Sequence, residues 1–193
     1  METEQNNYLE SVKKQFLYYK LLGDRSLERV DESQLYWQYN EESNSMAVIV
    51  QHLHGNMMSR WTDFLNSDGE KEWRKRDEEF ESLKKSKEEI VRLWNEGWAC
   101  LMKALDALKP EQLGTIIYIR NQGHTVMEAI NRQLAHYPYH VGQMVFLGKM
   151  LSARWDSLSI PRNASASYNK DKFAQEKGKT HFTDEYLKQP KKE

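Results

Sequence analysis

With 193 residues, 39% of them hydrophobic and 30% charged, the chain is sized for one domain with a sizeable core and a well-solvated surface. A formal net charge of −1 provides no field to gather nucleic acid or an anionic membrane, and apolar runs as short as MAVIV (46–50) exclude a spanning helix of about 20 residues. A lone cysteine, Cys100, excludes an internal disulfide framework; together with the polar start METEQNNYLE, which lacks the order of a signal peptide, it sets the expectation of a cytoplasmic address.

In chain order, residues 6–30 place Leu9, Val12, Phe16, Tyr19 and Leu27 on one stripe and predict a first amphipathic helix. The aromatic stretch at 35–39 reads as a short strand within a connection. Asn44 and Ser45 are good caps for a second helix over 46–66, which carries Ile49, Leu53, Met57, Trp61 and Phe64 and stops at the Asp68-Gly69 turn signal. Residues 70–93 are dense in both signs of charge and read as a solvated helix face laced with i,i+4 ion pairs. Phe80, Leu83, Ile90, Leu93, Trp94, Trp98, Leu101 and Leu105 then carry a third helix to about 108, where Pro110 ends it. TIIYIR (115–120) predicts a strand with NQGH (121–124) as its turn, and a fourth helix follows over 125–151. Beyond it the periodicity dissolves, and 170–193 reads as a Lys-rich polar tail with a mobile end. The reading is all-α: a four-helix bundle with a short strand or hairpin before the fourth helix, a single domain over 1–169, and an irregular C-terminal tail.

The chemistry concentrates in NRQLAHYPYHVGQM (131–144). His136 and His140 lie one turn apart, about 40° around the axis, so both imidazoles can face one ion. Ala129, Gln133, Gln143 and Leu147 share that face. A third ligand has two candidates in VQHLHGNMMSRW (50–61). His52 and His54 diverge by about 200°, so only one can join, and periodicity leaves them near even with a mild lean to His54. Asn56 and Ser59 share the His52 face, as helix-packing residues or as partners holding its imidazole. Arg132 and Gln133 precede His136 by about a turn, as inter-helix bonds or as groups that orient a substrate carboxylate. His124 sits where it caps the fourth helix or reaches a pocket mouth, His181 reads as solvated, and Cys100 as a core thiol. Pro138 predicts a kink between His136 and His140, since its ring removes a backbone bond to Leu134 at about 3 kcal/mol or more. No phosphate loop, nucleophile elbow or catalytic acidic pair accompanies these residues.

The segments N-S-M-A-V-I-V-Q-H-L-H-G-N-M (44–57), W-T-D-F-L-N-S-D-G-E-K (61–71) and A-I-N-R-Q-L-A-H-Y-P-Y-H-V-G-Q (129–143) resemble the DinB-like superfamily, over roughly residues 6–169. The resemblance implies a four-helix bundle, a homodimer, and a divalent metal ion held by His52, His136 and His140. It thus resolves the tie toward His52. Zinc or nickel suits three neutral imidazoles. It further implies a metal-dependent S-transferase in which a small thiol such as bacillithiol, mycothiol or glutathione attacks an electrophilic substrate. A metal-dependent hydrolase and a non-catalytic dimeric scaffold are the alternatives.

Overall fold

The computed structural model describes residues 2–81 and 85–188. Four long helices build the molecule: α1 (Glu2–Glu28), α3 (Met46–Trp61), α4 (Lys87–Ala107) and α5 (Val126–Leu151), with a one-turn α2 (Glu32–Leu35) after the first. Each long helix after α1 starts on a side-chain cap that satisfies an otherwise orphaned backbone N–H. Ser45 Oγ accepts from Val48 N to open α3, while α4 and α5 open on reciprocal capping boxes, Ser86 with Glu89 and Thr125 with Glu128.

α3 packs against α4, and α1 against α5. Their contact is a single core in which Phe16, Leu53, Trp94, Trp98, Leu101, Ile130 and Tyr137 are almost wholly shielded from water. α3 is the most enclosed element, with residues on nearly every side of it buried. One close approach depends on glycine: a Cβ at Gly23 of α1 would overlap the Trp94 ring, whose indole N–H donates to Asp24 Oδ1 at 2.6 Å. Among the described residues, no helix is long and apolar enough to cross a membrane.

The all-α expectation with a hairpin before the last long helix describes this architecture, and several local expectations need correction. The strand expected at 35–39 does not form: Leu35 closes the one-turn helix, which Asp31 opens with a complete capping box to Gln34, and 36–39 are turn and irregular backbone. α3 ends at Trp61, short of 66, because Thr62 turns extended and Asp63 adopts a left-handed φ of 46°. The charged run does not read out as one helix: its described part, 70–81, is irregular apart from a 3-10 turn (Asp77–Phe80), and α4 begins only at Lys87. The expected helical position of Leu83 lies outside the described residues.

The hairpin pairs β1 (Ile116–Ile119) with β2 (Gln122–Thr125), Ile116 opposite Thr125 and Ile119 opposite Gln122. The turn is therefore Arg120-Asn121, which begins one position before the expected 121–124 and leaves 122–124 in the second strand, with both residues left-handed as a tight two-residue hairpin loop requires. Asp68 holds it, its carboxylate accepting from Arg120 N and Asn121 N at 2.8 Å each, while Gly69 N donates to Tyr118 O. The tail also carries structure. α6 (Ser165–Phe173) and α7 (Asp184–Leu187) follow the fourth long helix, and α7 returns to α1 through Lys14–Asp184 and the tilted ring contact of Tyr18 with Tyr186. His181 is partly buried there and bonded to Ser11, contrary to the solvated placement expected of it. The expected mobile end, residues 189–193, lies outside the described residues.

Candidate metal centre

α3 and α5 face each other such that His52, His136 and His140 meet. The ring centroids are 5.3 Å apart for His52 and His136, 5.0 Å for His52 and His140, and 4.8 Å for His136 and His140. One nitrogen from each ring falls within 4.8 Å of the others. His136 Nε2 lies 3.2 Å from His52 Nε2 and 3.1 Å from His140 Nε2.

The other ring nitrogen decides what these contacts are. His52 Nδ1 is 3.0 Å from the Glu79 carboxylate, His136 Nδ1 is 3.1 Å from Gln133 Oε1, and His140 Nδ1 is 2.9 Å from Gln143 Oε1. Each partner atom is an oxygen acceptor, which places the single proton of a neutral imidazole on Nδ1. All three Nε2 atoms then carry bare lone pairs, and lone pairs at this separation repel unless a cation lies between them. For metal–nitrogen bonds of about 2.1 Å, ligand nitrogens lie about 3.0–3.4 Å apart across octahedral and tetrahedral angles, and the two separations from His136 Nε2 both fall in that interval. The donor set therefore fits a divalent ion, with the outward nitrogens bonded in the manner that orients imidazole ligands.

Electrostatics agree with neutral rings at His136 and His140. Burial pushes His136 down to about 3, assisted by the neighbouring His140 and His52 rings and by Arg132. Burial also lowers His140, against the opposing hydrogen bond to Gln143. Glu79 is held below the usual carboxylate range: burial would raise it, and the bonds from His52 and Arg74 outweigh that effect.

His54 is absent from the cluster. It points to Glu96 on α4, with 3.5 Å between Nε2 and the carboxylate. The lean of periodicity toward His54 has a physical cause: α3 is buried on nearly all sides, so it has no single apolar stripe against which a buried histidine stands out. Pro138 does not interrupt α5, which is helical from Val126 to Leu151, and the two histidines that flank it remain on one face.

Gln133 and Gln143 touch the site as described. Asn56 and Ser59 do not hold His52. Asn56 Oδ1 instead accepts from the Tyr137 hydroxyl, which also accepts from Trp61 Nε1, and Ser59 donates to Gly69 O. Arg132 stands on the exposed face of α5 and acts on His136 through its charge. His124 is partly buried in β2, outside the cluster. Cys100 is half-buried and not a core thiol; it lines a cavity of about 330 Å³ between the ends of α3 and α4, away from the histidines.

The residues that sequence reasoning missed are Glu79, Arg74 and Phe80. Phe80 lies against the His52 ring at 4.9 Å, and the Arg76 guanidinium lies over the Phe80 ring at 5.1 Å. The only signal of their role was a charged run of the length of a helix without helical periodicity in its first half.

No curated protein and no solved structure matches the chain. Residues 3–164 match the family described as Protein of unknown function (DUF1572), and the chain belongs to that family.

Proposed function

We propose that this chain is a cytoplasmic, homodimeric four-helix-bundle protein of the DinB-like type that binds one divalent ion, zinc or nickel, through His52, His136 and His140. The observation that carries the reading is the convergence of three unprotonated Nε2 atoms whose opposite nitrogens are all bonded to acceptors. We further propose a metal-dependent S-transferase that joins a low-molecular-weight thiol of the bacillithiol type to an electrophile. Bound there, the ion would lower the pKa of a coordinated thiol or water and so supply a nucleophile at neutral pH.

The chain's own groups serve this chemistry by position. Glu79, Gln133 and Gln143 hold the rings in one tautomer, and the Phe80 and Tyr139 rings lie against His52 and His140 at 4.9 and 5.0 Å. In the transfer the thiol proton passes to solvent, sulfur forms the new bond to carbon, and the leaving group departs with its electron pair. The test is zinc- or nickel-loaded, untagged protein assayed with bacillithiol and a chloroaryl electrophile. Conjugation that requires both the ion and His52 is the expected result. A tightly bound ion without thiol-dependent turnover contradicts the transferase reading and leaves the non-catalytic scaffold or the hydrolase.

A further inference from the structure

The connection between α3 and α4 carries a chain of charges into the protein interior. Glu79 Oε2 accepts a hydrogen bond from His52 Nδ1 at 3.0 Å, and the carboxylate is gripped by Arg74, with Nε donating to Oε1 at 2.7 Å and Nη2 to Oε2 at 2.9 Å. The side chains of Arg74 and Glu79 are only 2% and 9% exposed. Arg74 reaches on to Glu70, which also pairs with Arg60 of α3 at 2.9 Å and with Arg120 of the hairpin turn at 3.2 Å. The connection is thereby tied to α3 at one end of the network and to His52 at the other.

A second observation concerns the seat of the carboxylate. Gly55 lies on α3 three residues after His52, and a Cβ there would overlap the Glu79 carboxylate group. The absence of a side chain at Gly55 is what lets Glu79 descend onto His52. Because the clashing atoms end a flexible side chain, an added methyl would displace the carboxylate and leave the helix in place.

We propose that Glu79, seated on Gly55 and charge-neutralised by Arg74, is the positioning residue of the metal centre, and that it couples ion binding to the order of the 70–81 connection. The proposal rests on the metal-binding reading above. An anionic acceptor at Nδ1 fixes the tautomer and orientation of His52 and makes Nε2 a better donor to a cation. By reciprocity, an ion that draws on Nε2 strengthens the bond to Glu79 and so tightens the segment that carries it.

The experiment measures zinc affinity by chelator competition on untagged, full-length protein, for the wild type, Glu79→Ala, Glu79→Gln and Gly55→Ala, together with hydrogen exchange in 70–81 with and without zinc. Losing the positioning group should weaken zinc binding by about 10- to 100-fold in Glu79→Ala and Gly55→Ala. Glu79→Gln, which retains an acceptor oxygen, should recover part of that loss. In the wild type, zinc should slow exchange across 74–80. Should Glu79→Ala leave Arg74 too poorly compensated to fold, Gly55→Ala and the wild-type exchange decide the matter. Unchanged affinity in the folded variants, or exchange in 70–81 indifferent to zinc, overturns the proposal. A wild type that binds no zinc overturns instead the reading on which it rests.

Discussion

His52 and His54 differ by two positions and have opposite surroundings: one is buried against two further imidazoles and a carboxylate, the other pairs with Glu96 near the surface. Such a distinction is made by the neighbours, and the neighbours come from elsewhere in the chain. His136 and His140 were legible because their four-residue spacing is a local property of one helix. His52 was legible only through the resemblance of its motif, and Glu79 not at all, since nothing within helical reach of it announces a histidine partner. The partly buried, neutral state of His136 has a measurable consequence. Its folded-state value lies near 3, far below the usual 6.5, so the unfolded chain takes up the proton first as pH falls. Metal-free protein should therefore be fully stabilised by this group above about pH 6.5 and progressively destabilised from there toward pH 3. Urea unfolding across that range in the presence of a chelator checks the sign; stability that rises on acidification through this window would contradict it.

At the scale of elements, what could be read locally was read well. Ser45 and the helix that follows it, the strand at TIIYIR and the long final helix all depend on caps and periodicity within a few residues. Two of the errors fall where long-range contacts set the structure. The run from 70 to 86 has the composition of a solvated helix, and its Arg74 and Glu79 turn inward because His52, Glu70 and each other satisfy their charges there. Arg120-Asn121 takes the hairpin turn because Asp68, some fifty residues earlier, accepts both backbone N–H groups. The contact between α1 and α4 offers a direct probe of packing. Gly23→Ala pushes a methyl into the Trp94 ring and should lower stability by about 1–3 kcal/mol, measured by chemical denaturation, with the indole fluorescence shifted as Trp94 moves. A variant as stable as the wild type would show that α1 and α4 pack less closely than described.

For the whole molecule, the core explains a single folded unit and leaves one face of α5 unexplained. Tyr139, Phe146 and Met150 are exposed at helical spacing, beside Gly142, where an added Cβ would meet nothing. The proposed homodimer would bury this stripe. Sedimentation should then find a dimer for the wild type and a shift toward monomer for Phe146→Glu, with metal content unchanged, because Phe146 is not among the groups that touch the three histidines. A wild-type monomer would contradict the dimer without touching the metal site.

The proposed metal centre joins three histidines from two helices around one divalent ion. Untagged protein, loaded with zinc and freed of excess, should retain one ion per chain with an X-ray absorption signature of three imidazole nitrogens, and the His52→Ala/His136→Ala/His140→Ala variant should retain none. A wild type that retains no zinc, or a triple variant that retains as much as the wild type, would contradict it.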